Sequence, residues 1–255
     1  MTEPPSSVSA SEAEEGASIV GSAGSPMSLP EFPRYGPLLW DLDGTLVDTG
    51  RDLAQAVNRM LGDYGYEVLP EEAVISHVGK GVRNLVTRCL EERGHTLSTE
   101  EERVDAMASF GRHYRDCLLD TTHPYPGIPE LLADLADAGR RMAVVTNKPQ
   151  HFSDRILDAL DLRRHFGFVL GEGLLLARKP DPEPLLFALE RCDPHAAASR
   201  AVLIGDSWVD VRAARNAQMR SCAVAWGLGV PQEARDERPD WWVESVPQLR
   251  DLLGV

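Results

Sequence analysis

Short apolar segments that alternate with helical patterns constrain the fold of this chain more than any other feature. The apolar segments cover residues 38–40, 142–145, 168–170, 201–204 and 222–225, and amphipathic helical patterns separate the last four. Short buried strands joined by helices imply right-handed crossovers and a parallel sheet that is covered on both faces. The sequence therefore predicts an α/β protein with a doubly wound parallel sheet, a Rossmann-like core.

Polar residues follow three of the predicted strands. Asp41 and Asp43 come after the first strand, Thr146 and Asn147 after the second, and Asp206 after the fourth. Because side chains alternate along a strand, Asp41 and Asp43 point the same way, about 7 Å apart. Ligands of open parallel sheets bind beyond the C-terminal strand ends, so the clusters predict one common site. An ordinary Asp-Gly turn explains the first pair equally well when that pair is taken alone.

Further charged groups are predicted at the same edge of the sheet. Asp210 closely follows Asp206, and Lys179 stands on a loop that can reach the edge. Carboxylates that converge on one place repel one another and have raised pKa values unless a cation is present, and all-oxygen ligands favour Mg²⁺. A lysine and a threonine hydroxyl beside such a metal suit phosphate oxygens, and a carboxylate can attack phosphorus to form an aspartyl-phosphate. The predicted metal-binding residues are Asp41, Asp43, Asp206 and Asp210.

A helical insert separates the first strand from the rest of the predicted sheet. Residues 51–119 contain several amphipathic helical patterns and no convincing strand. We therefore predict a catalytic core formed by residues 35–50 and 120–255, with a helical domain inserted between the two parts.

The first 34 residues are rich in Ser, Glu, Pro and Gly, and their few apolar residues follow no period. This composition predicts a disordered tail. The tail has neither the basic start and apolar region of a signal peptide nor the composition of a transit peptide, so no targeting is predicted. Met27 is a candidate translation start, and an N-terminal mass that retains Met1 or Thr2 would contradict it.

The overall composition argues against several classes of function. With 40 acidic and 26 basic residues the net charge is -14, which disfavours binding to nucleic acid or to an anionic membrane. No run of about 18 apolar residues is present, so no membrane span is predicted. The four cysteines are scattered without a CxxC pair, which favours reduced thiols in a cytoplasmic protein. We expect a monomer or a homodimer.

Four motifs in the chain resemble, in order, those of the haloacid dehalogenase-like hydrolase superfamily, and more narrowly its phosphoglycolate phosphatases. The resemblance covers nearly everything after the tail, and it implies that the helical insert is a cap that closes over the site and excludes water. The motifs are Asp41-Leu42-Asp43-Gly44-Thr45, Val145-Thr146-Asn147, Arg178-Lys179-Pro180-Asp181-Pro182, and Gly205-Asp206-Ser207 with Asp210.

The resemblance also implies a role for each motif residue. Asp41 would be the nucleophile, Asp43 the general acid and base, and Lys179 a bridge between nucleophile and phosphate. Thr146 and Asn147 would hold phosphate oxygens. The groups that would bind Mg²⁺ are Asp41, Asp206 and the backbone carbonyl of Asp43, with Asp210 in support.

A loop of the insert, residues 77–83, resembles the specificity loop of the phosphoglycolate subfamily. Lys80 and Arg83 could bind a small carboxylate there and supply the positive charge that the acidic surface lacks. An ordinary glycine turn between two helices explains this loop equally well.

Together these features predict an Mg²⁺-dependent phosphomonoesterase that acts on a small phosphorylated metabolite, 2-phosphoglycolate by preference, through an aspartyl-phosphate. Asp43 argues against a dehalogenase, which needs neither a second acid nor a metal. A sugar phosphomutase or a sugar-phosphate phosphatase of the same superfamily shares the core motifs, so both stay open. A catalytically inactive ligand-binding homologue is the non-enzymatic alternative.

Overall fold

The computed structural model describes Met1 and residues 36–255. The predicted tail, apart from Met1, and the candidate start at Met27 lie outside the described residues. Within residues 36–255, no helix is both long and apolar enough to cross a membrane.

The described part of the chain folds into strands and helices that alternate from residue 123 onward. The strands are β1 (Leu38–Trp40), β2 (Val47–Asp48), β3 (His123–Pro124), β4 (Met142–Pro149), β5 (Phe168–Glu172), β6 (Val202–Gly205), β7 (Arg220–Val224) and β8 (Trp241–Val243). The helices are α1 (Gly50–Asp63), α2 (Glu71–Ile75), α3 (Val82–Glu92), α4 (Glu100–Cys117), α5 (Ile128–Asp137), α6 (Gln150–Ala159), α7 (Glu183–Cys192), α8 (Trp208–Asn216), α9 (Pro231–Asp236) and α10 (Val246–Leu253).

Six strands form one parallel sheet in the order β5-β4-β1-β6-β7-β8, which confirms the predicted fold class. Strand β1 lies between β4 and β6, and Trp40 at its end is in register with Val144 and Ile204. Because the three strands run in the same direction, their C-terminal ends open at one edge of the sheet. The polar residues that follow them are therefore neighbours.

Side-chain alternation divides the core into two apolar layers, one on each face of the sheet. Leu38 and Trp40 of β1 belong to one layer, and Leu39 belongs to the other. Val144 and Val145 of β4 divide in the same way. Burial on both faces explains why these strands read as continuous apolar runs. Each fully buried side chain of this size contributes about 1.5–3 kcal/mol relative to its exposed state.

Helices α1 to α4 pack together beside the sheet, with α1 along α4 and α3 against both. Met60 of α1 and Phe110 of α4 are fully buried and belong to the same apolar layer as Trp40. At the start of α4, Thr99 and Glu102 form a capping box, which satisfies backbone N–H groups that have no partner inside the helix.

A two-residue antiparallel pair, β2 with β3, joins the points where the chain enters and leaves these four helices. Val47 pairs with Pro124, and Asp48 pairs with His123. Strands this short carry no periodic pattern, so the sequence does not predict them.

Local backbone geometry defines where helix α1 and strand β4 end. Helix α1 ends at Asp63, where the chain turns because Gly65 takes the left-handed conformation at φ 75°. The Tyr66 N–H then donates to the Leu61 carbonyl and the Gly65 N–H to that of Gly62, which closes the helix end. Strand β4 continues beyond residue 145 to Pro149, with an irregular register against β5 over the added residues.

Asp52 of α1 holds the returning chain at the end of the helical segment. Its fully buried carboxylate accepts hydrogen bonds from the backbone N–H and the hydroxyl of both Thr121 and Thr122, at 2.6–3.1 Å. Burial alone would raise the pKa of Asp52, but these hydrogen bonds outweigh burial and lower it below the ordinary 3.8. A lowered carboxyl pKa stabilises the fold above pH 3.8, and this contribution is lost as the pH falls through the folded-state value.

We predict that Asp52→Ala lowers the free energy of unfolding by about 2–4 kcal/mol at pH 7, because buried donors lose their acceptor. Urea denaturation measures the change. Asp120→Ala, at an exposed neighbouring position, is the matched control and should change stability little. The difference between wild type and Asp52→Ala should shrink below pH 3.8; a difference that stays constant with pH would contradict this account.

Candidate active site

The predicted site residues assemble at the C-terminal edge of the sheet. Asp41 follows β1, Thr146 and Asn147 lie on the extension of β4, and Asp206 follows β6. All four are nearly buried, with exposed fractions of 4–6%. The parallel register thus brings together residues that are up to 165 positions apart in the sequence.

Lys179 provides the positive charge at the centre of this edge. Its Nζ donates to Asp41 Oδ1 at 2.8 Å and to Asp210 Oδ1 at 2.6 Å. Burial alone would lower the pKa of Lys179, but the charges of Asp210 and Asp41 outweigh it and raise the pKa. The lysine is therefore a permanent cation that links two carboxylates.

Asn147 fixes the loop that carries Lys179. Its side-chain amide donates to the Lys179 carbonyl at 2.9 Å, and its Oδ1 accepts from the Lys179 N–H at 2.9 Å. The same amide also donates to the carbonyl of Gly79, in the loop between α2 and α3, at 3.1 Å. Both amide hydrogens of Asn147 are thus engaged. Unless these bonds break, only its backbone N–H can donate to a phosphate oxygen.

Three buried carboxylates lie close enough together to hold a metal ion. Asp41, Asp206 and Asp210 each offer an oxygen, and the three oxygens lie within 4.8 Å of one another. Burial, followed by the charges of Asp41 and Asp210, raises the pKa of Asp206 well above its ordinary value. Burial also raises the pKa of Asp41, to about 6, although Lys179 opposes this. One lysine does not offset three buried negative charges, so the cluster fits a divalent cation.

The hydrogen bonds of the cluster distinguish the carboxylates. Asp206 Oδ2 accepts from the Leu228 and Gly229 N–H groups at 2.8 Å, and no described residue bonds its other oxygen. Asp210 uses both oxygens, because Oδ1 accepts from Lys179 and Oδ2 accepts from the N–H and hydroxyl of Ser207. Asp206 is thus available as a ligand, whereas Asp210 is committed to positioning other groups.

Glycine allows the first motif to approach Asp206. Gly44 has φ 83°, and a Cβ there would collide with the Asp206 carboxylate. Beside it, the fully buried hydroxyl of Thr45 has no hydrogen-bond partner among the described residues. An unpaired buried hydroxyl costs about 1–3 kcal/mol, so a ligand oxygen at this place would stabilise the site.

Asp43 lies outside the three-carboxylate cluster and interacts with a different lysine. Asp43 Oδ1 accepts from the Thr49 hydroxyl at 2.6 Å and from Lys148 Nζ at 2.8 Å. Lys148 Nζ also donates to the hydroxyl of Tyr114, on α4, at 2.6 Å. The sequence reasoning missed Lys148, although one signal was present: only three lysines occur in the chain, and each stands in or beside a motif or the loop of residues 77–83.

The structure does not bring Lys80 and Arg83 into this group. Arg83 is exposed and forms a two-bond ion pair with Glu100, at 2.7 and 3.1 Å. Lys80 is exposed, and its Nζ lies 5.3 Å from the centre of the Trp208 ring. Their role in substrate binding stays a prediction.

A small cavity lies between the sheet edge and the helical segment. Its volume is about 40 Å³, which is space for a few water molecules at about 10–15 Å³ each. The residues that line it are Asp41, Asp43, Leu53, Val78, Gly79, Gly81, Val82, Leu85, Tyr114, Thr146, Asn147 and Lys148.

Comparison with known proteins identifies relatives along most of the chain. The family model of the haloacid dehalogenase-like hydrolases matches residues 38–224. The plasmid phosphoglycolate phosphatase of Cupriavidus necator is 40% identical over 216 residues, 85% of this chain and 92% of that protein. The phosphoglycolate phosphatase of Nitrosospira multiformis is 40% identical over 215 residues, 84% of this chain and 93% of that protein.

Solved structures give the same picture of the fold. A crystal structure described as a predicted phosphoglycolate phosphatase from Haemophilus somnus superposes with a TM-score of 0.79 at 28% identity, over 86% of this chain and 98% of that one. The β-phosphoglucomutase of Clostridium difficile superposes with a TM-score of 0.71 over 84% and 93% of the two chains. At 21% identity that second likeness shows the fold alone.

We predict that Mg²⁺ raises the thermal unfolding temperature of the wild type and not that of Asp206→Asn. The amide keeps the shape of the side chain but removes a charge whose burial is unfavourable, so the variant should unfold at or above the temperature of the metal-free wild type. Differential scanning calorimetry with Mg²⁺ and with EDTA measures both effects. Asp251→Asn, on the exposed side of α10, should retain the Mg²⁺ shift. An unchanged shift in Asp206→Asn would contradict the assignment of the cluster as a metal site.

Proposed function

We propose that this chain, which belongs to the haloacid dehalogenase-like hydrolase family and is a phosphatase, hydrolyses the phosphate ester of a small carboxylic acid, 2-phosphoglycolate by preference. The observation that carries the proposal is the contact of Lys179 with Asp41, both of them buried at the edge of the sheet. A carboxylate held by a lysine at a parallel sheet edge can attack phosphorus while the lysine attracts the phosphate oxygens.

In the first step Asp41 forms a bond to phosphorus and the ester bond to the leaving oxygen breaks. Asp43 supplies the proton that the leaving oxygen takes, so the alcohol departs neutral. Lys179 and the hydroxyl of Thr146 hold oxygens of the phosphoryl group, and the unpaired hydroxyl of Thr45 is a further donor at this place. The product on the protein is an aspartyl-phosphate.

In the second step a water molecule attacks phosphorus and the bond to Asp41 breaks. Asp43, now ionised, takes a proton from the water, which restores both carboxyl groups to their starting states. Asp41, Asp206 and the backbone carbonyl of Asp43 would hold Mg²⁺, with Asp210 positioning Lys179. When bound, Mg²⁺ neutralises the carboxylates and polarises the phosphoryl oxygens.

The proposed substrate class follows from the relatives, because the two named above are phosphoglycolate phosphatases. We propose that residues 51–119 act as the cap over a core of residues 35–50 and 120–255. In this arrangement Gly79 and Tyr114 bring the cap onto the core residues Asn147 and Lys148.

A substrate panel tests the proposal against the sugar phosphomutase and sugar-phosphate phosphatase alternatives. Phosphate release is measured with Mg²⁺ for two- and three-carbon phosphoacids, sugar phosphates and nucleotides, and isomer formation is measured for the sugar phosphates. We expect the highest kcat/KM for 2-phosphoglycolate, and no isomerisation. Isomer formation, or a preference for sugar phosphates, would contradict the proposed substrate.

We predict that Asp41→Asn lowers kcat for an aryl phosphate by roughly 10⁴- to 10⁶-fold, because the amide is not a nucleophile. A stopped assay of phosphate release measures the loss, and thermal unfolding establishes that the variant is folded. Asp137→Asn, at the exposed end of α5, should retain wild-type activity. Full activity in Asp41→Asn would refute Asp41 as the nucleophile.

A further inference from the structure

Lys148 is a buried cation whose surroundings suit a second anionic group of the substrate. We propose that Lys148 is the specificity-determining residue that binds the substrate carboxylate, an inference that rests on the proposed function. Nothing in the motif resemblance assigns this lysine, which stands next to Asn147 on the extension of β4.

The ammonium group of Lys148 has a hydrogen-bond donor to spare. A lysine carries three donors. Two of them go to Asp43 Oδ1 at 2.8 Å and to the Tyr114 hydroxyl at 2.6 Å, and no described residue accepts a third. The ammonium also lies 4.6 Å from the centre of the Tyr114 ring, so the tyrosine holds it from one side. The lysine is thus preorganised, with an exposed fraction of 5% and one donor free.

Lys148 is the one cation among the described residues that line the cavity. The cap side of this cavity consists mostly of apolar side chains, including Val78, Val82 and Leu85. A carboxylate that enters such surroundings loses its hydration and needs an opposite charge beside it. Lys179 cannot serve, because Asp41 and Asp210 engage it at the phosphoryl end of the site.

The position of Lys148 matches the length of a two-carbon phosphoacid. Its partner Asp43 stands two residues after Asp41, and both aspartates line the same cavity as Lys148. A phosphoryl group at Asp41 puts the leaving oxygen next to Asp43, which protonates it. In 2-phosphoglycolate only one methylene separates that oxygen from the carboxylate. The carboxylate can therefore reach a group that Asp43 itself contacts, the ammonium of Lys148.

This assignment replaces the one based on the cap loop. Lys80 and Arg83 are exposed and engaged by Trp208 and Glu100, and neither lines the cavity. A carboxylate bound at these side chains would stay hydrated on the surface, where an ion pair contributes little.

The rival explanation is that Lys148 only positions Asp43. Such a role would affect every substrate equally, because Asp43 protonates the leaving oxygen of any ester. A carboxylate-binding role affects only substrates that have a carboxylate. The ratio of kcat/KM for 2-phosphoglycolate to kcat/KM for ethyl phosphate separates the two, since ethyl phosphate has a methyl group in place of the carboxylate. An inactive fraction of a poorly folded variant cancels in this ratio.

The experiment measures this ratio, with Mg²⁺, for the wild type and for Lys148→Met, Lys148→Gln, Lys80→Met and Arg88→Met. Lys148→Gln keeps donors for Asp43 and Tyr114 without the charge, and so remains informative if Lys148→Met does not fold. Arg88→Met removes an exposed cation of α3 as the control. We expect both Lys148 variants to lower the ratio by roughly 10- to 100-fold, the range of one charged hydrogen bond. The ratio should be unchanged in the other two variants.

Three results would overturn this inference. Equal losses for both substrates in the Lys148 variants would leave only a positioning role. A ratio that falls in Lys80→Met instead would place the carboxylate on the cap loop. A wild type that hydrolyses ethyl phosphate and not 2-phosphoglycolate would refute the proposed substrate together with the inference, whereas the first two results leave the proposed function intact.

Discussion

The site depends on how three buried carboxylates are held at one edge of a parallel sheet. Lys179 contacts two of them, Asp41 and Asp210, and the third, Asp206, accepts two backbone N–H groups. These bonds reduce the repulsion without removing it, as the raised pKa values of Asp41 and Asp206 indicate. The folded chain therefore carries an unfavourable concentration of negative charge, which a bound cation relieves. The carboxylates that lower the stability of the sheet edge are thus the same groups that give the site its chemistry.

The helical segment completes this edge through polar contacts as well as apolar ones. Asn147 donates to the Gly79 carbonyl, and Lys148 donates to the Tyr114 hydroxyl. Two consecutive residues of β4 thus bond to the segment that covers the cavity, while the same residues face Lys179 and Asp43. Closure and the arrangement of the polar groups are linked, because opening of the helices would break both contacts. A site of this kind is complete only when the covering helices are in place.

Much of this arrangement could be predicted from the sequence because it follows from local pattern and sheet geometry. Apolar strands that end in Asp41, Thr146 and Asp206 must bring these residues to one edge once the sheet is parallel. Lys148 escaped because its partners, Asp43 and Tyr114, come from segments that are distant from it in the sequence. Arg83 was predicted to bind a substrate carboxylate, but it pairs with Glu100, because a long, flexible side chain can turn to a nearby carboxylate of the protein. Contacts between distant segments decide such cases, and no spacing in the sequence records them.

If Asp41 carries the phosphoryl group during turnover, the group can be trapped on that residue. In Asp43→Asn with Mg²⁺, p-nitrophenyl phosphate should still react with Asp41, because its leaving group needs no proton, while breakdown of the aspartyl-phosphate slows for want of a base. Rapid mixing followed by acid quench, digestion and mass spectrometry measures both product and protein. We expect a burst of about one equivalent of nitrophenol and a phosphoryl group on the peptide that contains Asp41. Release without a burst, or a phosphoryl group on another residue, would contradict this role of Asp41.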